Sequence, residues 1–163
     1  EPRPGRYDAT AIAHYHADPE HNFLFQIRGR KKVHVFPNDD LGLFSGDARE
    51  QLFCERKHSL DYRQEFESKA WVFHLEQGMS SYQPALCPHW VEVGSEISVS
   101  IGFSLFSSGE QRQKRVHQFN HWLRGLGARP VPLGASPVRD GIKRAAAGAV
   151  AGVARVVKGG GAA

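Results

Sequence analysis

The residues with the clearest capacity for chemistry are His16 and Asp18, which stand two positions apart in an alternating segment. In an extended strand, residues i and i+2 project from the same face, so the pair would place an imidazole nitrogen beside a carboxylate oxygen. Two histidines and one carboxylate form the facial triad that holds non-haem Fe(II) and leaves coordination positions open. The spacing therefore predicts two of three metal ligands.

The third ligand must come from far along the chain, and the candidate is His89, in the stretch Cys87-Pro88-His89-Trp90. Strands that are distant in sequence can be neighbours in a barrel, so the long interval from Asp18 is no obstacle. The sequence thus predicts an iron site formed by His16, Asp18 and His89 on a β-barrel. A motif match of this kind is a hypothesis that the surrounding elements must support.

Short apolar or alternating segments between turn residues predict the elements that would carry these ligands. Strands are predicted over residues 10–18, 22–28, 31–36, 71–75, 80–84, 90–93 and 96–106, with His14, His16 and Asp18 on one face of the first. Gly94-Ser95 is typical of a hairpin turn between the last two. About seven short strands favour a sandwich or small barrel. The alternating aromatic residues of the later strands are expected in its core, namely Trp71, Phe73, Phe103 and Phe106.

The domain organisation predicted from these patterns has four parts: an unstructured leader at 1–9, a barrel at 10–107, an amphipathic helix at 108–128 that packs on the barrel, and a linker with a basic, small-residue-rich helix or tail at 129–163. The polar stretch 41–69 is expected to be an excursion from the sheet, with helices confined to the region after Ser107. The last helix begins at Ser136-Pro137, since proline suits the first helical position. It could contact a membrane surface or a partner; the alternative is a solvated tail.

Composition and charge narrow the function classes. The chain has 163 residues, 40% hydrophobic and 23% charged, as is ordinary for one globular domain. Most of the positive surplus lies between Gln111 and Lys158, so the predicted barrel is acidic on balance and is not expected to read nucleic acid. Cys54 and Cys87 lack a metal or disulfide spacing, which favours free thiols and a cytoplasmic location.

With these elements placed, the chain resembles the cupin-like branch of the JmjC family, whose members are related to Fe(II)/2-oxoglutarate oxygenases. The resemblance covers roughly residues 10–145. The stretches that carry it are His16-x-Asp18-x-x-x-Asn22-Phe23-x-x-Gln26-Ile27-x-Gly29-x-Lys31, Tyr82-x-Pro84 with His89-Trp90, and Phe119-Asn120-His121-Trp122-Leu123-Arg124. It implies an all-β core, a double-stranded β-helix (jelly-roll or cupin barrel), followed by one or two α-helices.

The resemblance also implies roles for individual residues. His16, Asp18 and His89 would be the catalytic iron ligands, with Fe(II) as cofactor and 2-oxoglutarate as cosubstrate. Lys31 would pair with the distal carboxylate of 2-oxoglutarate, and Asn22 would lie close to the metal and the cosubstrate. The implied activity is hydroxylation of a protein side chain or a small molecule, with the substrate itself unknown.

Two alternatives stay open. His14, His16 and Glu20 resemble the first cupin motif, and with His89 they would form a three-His-one-Glu site typical of a metal dioxygenase or isomerase. Under the second alternative, the chain is a cupin-like binding module without turnover. That alternative is favoured by Ala13, which stands where the family usually has a threonine that helps hold 2-oxoglutarate. The remaining histidines, including His58, have no spacing partner that would make a ligand set.

Overall fold

A computed structural model describes residues 11–94 and 96–159, without the side chains of residues 11, 12 and 150–159. The predicted leader at 1–9 and the end of the predicted tail, 160–163, lie outside the described residues. The chain divides into two compact units, residues 1–107 and 108–163. No helix within the described part is both long and apolar enough to cross a membrane.

The first unit is built mainly from strands. Their bounds are β1 Ala11–His16, β2 His21–Arg28, β3 Lys31–Val35, β4 Trp71–Leu75, β5 Ser80–Gln83, β6 His89–Val93 and β7 Val99–Leu105. β1, β6, β3 and β4, in that order, form one sheet, and β5, β2 and β7 form another. The neighbouring strands in both sheets pair antiparallel.

The chain passes repeatedly from one sheet to the other, which is the winding of a double-stranded β-helix. β6 and β7 belong to different sheets, so the predicted hairpin at Gly94-Ser95 is wrong: the segment between them crosses the fold. The predicted fold class, an all-β core followed by helices, is confirmed.

The core of this unit lies between the two sheets. Alternate residues of β3 and β6 point inward, and Val33, Val35, Val91 and Val93 are buried. Leu24 of the other sheet packs against this cluster. Both sheets thus present an inner face, on which functional side chains would also have to lie.

The turn between β2 and β3 depends on Gly29, whose φ of +69° favours glycine. A Cβ added there would lie 2.3 Å from the carbonyl oxygen of Ile97, too close for any side chain. Lys31 is the first residue of β3 and follows this turn, so the conformation of Gly29 also determines the position of Lys31.

We expect Gly29→Ala to lower the free energy of unfolding by about 1–3 kcal/mol, because it adds backbone strain and a clash with backbone. Gly102→Ala is the matched control, since a Cβ there would meet no atom within 4 Å among the described residues, apart from its chain neighbours. Urea denaturation measures both changes. Equal losses in the two variants would contradict this account of Gly29.

The excursion between β3 and β4 contains helices, so the expectation that helices are confined to the region after Ser107 is wrong. α1 spans Gly46–Glu55 and begins at Ser45, whose side chain accepts a hydrogen bond from the amide of Ala48 at 3.1 Å. A short 3-10 helix spans Gln64–Lys69. α1 buries one face, which includes Leu52 and Phe53. Leu52 and Phe53 on that face pack against Ala17, close to the predicted site.

Four aromatic residues predicted for the core are exposed instead: Trp71, Phe73, Phe103 and Phe106. Alternation places side chains on one face of a strand, but burial requires an element that covers that face. In the described part of the chain, β4 and β7 each pair with a neighbour on one side only. The exposure of these aromatic residues shows that, among the described residues, the strand surfaces that carry them are not fully covered.

The second unit consists of two helices, α2 at Ser108–Gly125 and α3 at Pro137–Gly159, which contact each other. α2 ends at a turn that contains Gly127, where the amide of Ala128 donates to the carbonyl of Leu123 and Gly127 has a φ of +82°. Packing of the 108–128 helix on the barrel stays a prediction.

Candidate metal centre

The two histidines of the site lie opposite each other on neighbouring strands, next to a β-bulge. Along the antiparallel pair β1 and β6, Ala13 lies opposite Val91 and His16 lies opposite His89, with a register shift between. β1 therefore uses one more residue than β6 over this interval, and the extra residue re-aims the strand. The imidazole rings of His16 and His89 lie with their centroids 4.1 Å apart. This bulge lies before His16, so it interrupts the predicted alternation between His14 and His16 but not that between His16 and Asp18.

Asp18 lies beyond the end of β1, and backbone contacts hold it in place. The carbonyl of Asp18 accepts from the amide of Leu86 at 2.8 Å, and the preceding amide, of Ala17, donates to the carbonyl of His58 at 3.1 Å. Ala17 is fully buried among apolar residues that include Phe44 of the excursion. The position of the carboxylate therefore depends on elements that the motif itself does not contain.

The three predicted ligands converge. Asp18 Oδ2 lies 3.8 Å from His16 Nε2 and 3.8 Å from His89 Nε2. One ligand atom from each residue lies within 4.8 Å of the others, and this is the one such group of three found among the described residues. His14 and Glu20 are not members of it.

The hydrogen bonds of the two rings leave the correct nitrogens available for a metal. His16 Nδ1 lies 2.6 Å from the carbonyl of His14, and His89 Nδ1 lies 3.0 Å from the carbonyl of Cys87. A carbonyl only accepts, so each Nδ1 carries the proton and each neutral ring has its lone pair on Nε2. Both Nε2 atoms are those that face Asp18.

The protonation state of His89 also suits metal binding. Burial, and then the proximity of His16, lower the pKa of His89 to about 4. The ring is therefore neutral at neutral pH, as a metal ligand must be.

The separations between the three ligand atoms are compatible with a divalent cation bound between them. Metal–ligand bonds are roughly 2.0–2.2 Å long, so adjacent ligand atoms on one face of an octahedron lie about 3 Å apart. The 3.8 Å separations need only a small contraction around the ion. Two neutral imidazoles and one carboxylate are the donor set of a non-haem Fe(II) site. The residues present fit such an ion.

Asn22 was predicted close to the metal, and it contacts a ligand. Its Nδ2 donates to Asp18 Oδ2 at 2.8 Å, and its Oδ1 accepts from the hydroxyl of Ser104 on β7. Asn22 and Ser104 lie opposite each other on β2 and β7 of one sheet, so this chain of hydrogen bonds connects that sheet to the carboxylate at the end of β1, in the other sheet. Its role toward a cosubstrate stays a prediction.

Lys31 lies outside the ligand cluster but on the same inner face. It is two and four residues before Val33 and Val35, both inward, and Val35 pairs with His89. Lys31 and Val35 are four residues apart, so at about 3.3 Å per residue the backbone of Lys31 lies roughly 13 Å along β3 from that pair. β6 lies between β1 and β3, so Lys31 is not on a strand adjacent to that of His16. Partial burial lowers the pKa of Lys31, because burial disfavours the charged form. Among the described residues, no carboxylate forms an ion pair with it.

The inner face of the sheet formed by β5, β2 and β7 carries amides and hydroxyls to which the sequence analysis gave no role in the site. Gln26 is fully buried, with Ser100 donating to its Oε1 at 2.6 Å and its Nε2 donating to Ser98 at 2.8 Å. Ser81 and Gln83 of β5 are buried as well. The alternation of serine with apolar residues along β7 was the available signal, because it marks the inner face as polar.

His58 is the residue that sequence reasoning missed. Its Nδ1 lies 3.0 Å from Asp18 Oδ1, although it was expected to have no ligand-set partner. The two residues are forty positions apart, and His58 comes from the polar excursion rather than from a strand. No spacing signal in the sequence could have connected them.

No protein-family model matches the sequence, and no curated protein matches it. Among solved structures, the chain is similar to YcfD, a ribosomal oxygenase from Escherichia coli, in complex with cobalt and 2-oxoglutarate, with 19% identity and a TM-score of 0.39 over 82% of this chain and 29% of that one. An X-ray structure of E. coli YcfD gives 20% identity and a TM-score of 0.39, over 84% of this chain and 36% of that one. A third structure, of the same ribosomal oxygenase, gives 17% identity and a TM-score of 0.34, over 78% of this chain and 28% of that one. The chain spans about a third of the length of the solved chains that it matches.

Proposed function

We propose that the chain carries the metal site of an Fe(II)- and 2-oxoglutarate-dependent oxygenase that hydroxylates a protein side chain or a small molecule. The observation that carries this proposal is the convergence of two Nε2 atoms and one carboxylate oxygen, from His16, His89 and Asp18. Neither His14 nor Glu20 belongs to the group, and no observation favours the three-His-one-Glu site.

The ligands would hold the ion from one side. His16 and His89 would present their Nε2 atoms, and the hydrogen bonds of their Nδ1 atoms to backbone carbonyls fix the direction of each ring. Asp18 supplies the negative charge, and Asn22 restrains the oxygen that points at both rings. Fe(II), when bound with 2-oxoglutarate and O₂, supplies the oxidising chemistry that hydroxylates a C–H bond. The chain's own task is to bind, orient and partly bury these groups.

Lys31 would hold the far end of the cosubstrate. A half-buried ammonium without a close anion is unfavourable, and a dicarboxylate that reaches from the metal along the inner face would supply that anion. The amides and hydroxyls of the opposite sheet, such as Gln26 and Ser100, make this face polar enough to accept it. These features favour a cosubstrate with a second carboxylate.

The test is consumption of 2-oxoglutarate by the purified, iron-loaded chain, with Asp18→Ala as the matched inactive control. We expect about one Fe(II) per chain and a rate of 2-oxoglutarate decarboxylation at least tenfold above that of the control. A chain that binds iron and 2-oxoglutarate without consuming the latter would be a binding module. A chain that binds neither would contradict the proposal as a whole.

A further inference from the structure

The stretch around His58 runs beside the end of β1 and is held there by the backbone. The amide of Ala17 donates to the carbonyl of His58, and the amide of Leu60 donates to the carbonyl of Tyr15, each at 3.1 Å. Between these two bonds, Ser59 forms an isolated antiparallel bridge with His16. This stretch, residues 58–60, therefore has a defined register against the segment that carries two of the three ligands.

The two oxygens of the Asp18 carboxylate have different partners. Oδ1 lies 3.0 Å from His58 Nδ1, whereas Oδ2 accepts from Asn22 at 2.8 Å. Oδ2 is also the oxygen that lies 3.8 Å from the Nε2 atoms of His16 and His89. The hydrogen bond to His58 thus engages the oxygen that points away from the ligand group.

A carboxylate engaged in this way can offer only one oxygen to a metal. If both oxygens coordinated, Asp18 would occupy two positions and leave fewer for a chelating cosubstrate and O₂. A hydrogen bond to the outer oxygen also fixes the carboxylate in rotation, as partners of ligands commonly do in metal sites. The contact is half-exposed, with 42% of the His58 side chain and 22% of that of Asp18 accessible, so it can be altered without opening the core.

We propose that His58 is a positioning residue that holds Asp18 as a single-oxygen ligand, with Oδ2 turned toward the metal. The inference rests on the proposed metal site and extends it to the excursion between β3 and β4. It gives that excursion a defined role, since the register of residues 58–60 places the imidazole at the ligand.

The experiment compares Co(II) binding by the full chain and three variants, using calorimetry together with the visible absorption of the bound ion. His58→Ala removes the donor. His58→Asn keeps an amide nitrogen near the position of Nδ1, and Ser59→Ala alters an exposed neighbour in the same stretch. We expect Co(II) affinity to fall about tenfold or more in His58→Ala, to stay within about threefold in His58→Asn and to be unchanged in Ser59→Ala, with an altered spectrum in the first alone.

Each outcome decides the inference. Parent-like affinity and spectrum in His58→Ala would overturn it, and so would a loss in His58→Asn equal to that in His58→Ala, because the donated hydrogen bond would then not be the cause. If His58→Ala does not fold, His58→Gln replaces it, since its amide reaches the position of Nε2 rather than Nδ1. A parent chain that binds no Co(II) would instead overturn the proposed metal site, and the inference with it.

Discussion

Replacing His89 or Asp18 with alanine should abolish stoichiometric metal binding, with the affinity for Co(II) falling at least about 100-fold. Each variant removes one of three ligands, and the loss should exceed the 10–100-fold typical of residues that only support a ligand. In Asp18→Ala the group of described ligands also loses its one carboxylate, leaving two imidazole rings to hold a dication. Calorimetry with Co(II) and metal analysis after Fe(II) loading measure both effects.

The controls for this experiment also test the rival ligand set. His14→Ala and Glu20→Ala change residues that flank the ligands in sequence but do not belong to the converging group. We expect both to bind within about threefold of the parent. If Glu20→Ala lost the metal while Asp18→Ala kept it, the three-His-one-Glu site would replace the facial triad. Full retention of metal by His89→Ala would remove His89 from the site.

The second large effect is expected at Lys31. In the presence of Co(II), Lys31→Ala should bind 2-oxoglutarate at least about tenfold more weakly than the parent, equivalent to about 1.4 kcal/mol for a lost charge-assisted contact. The ammonium is half-buried on the inner face, where burial lowers its pKa. A carboxylate bound beside it would stabilise the charged form through a charge-assisted hydrogen bond.

Lys32→Ala is the matched control for Lys31. The two residues are adjacent on β3 and therefore point to opposite faces, and Lys32 pairs with Glu92 at 3.3 Å. We expect the control to bind 2-oxoglutarate as the parent does while losing the same formal charge. Calorimetry in the same buffer separates the two variants. Equal affinity in the parent and Lys31→Ala, or no binding by either, would eliminate the cosubstrate role and favour the binding module.

The ligand residues could be predicted because their types and local spacing are unusual, but their geometry could not. Alternation placed Asp18 on the face of a continuous strand, whereas a bulge before His16 and backbone contacts after it set the actual arrangement. A bulge depends on pairing with β6, some seventy residues away, and leaves no signature in β1 itself. The same limit explains His58, which reaches Asp18 from a stretch without periodicity.

The strands were predictable for a similar reason, and their burial was not. Short alternating runs with turn residues between them located the seven strands to within a few residues. Whether a face of β4 or β7 is covered depends on what packs against it, which alternation does not encode. Phe103 and Trp71 were therefore assigned to the core, yet 59% and 55% of their surfaces are exposed.

The uncovered edge of β7 has a practical consequence for all of these measurements. Val99, Ile101, Phe103 and Leu105 share its outer face, next to backbone groups that pair on one side only within the described residues. Such an edge is a template for self-association and aggregation. Titrations of this chain should be repeated over a range of protein concentrations, because aggregated material would lower the apparent number of metal ions bound per chain without any change at the ligands.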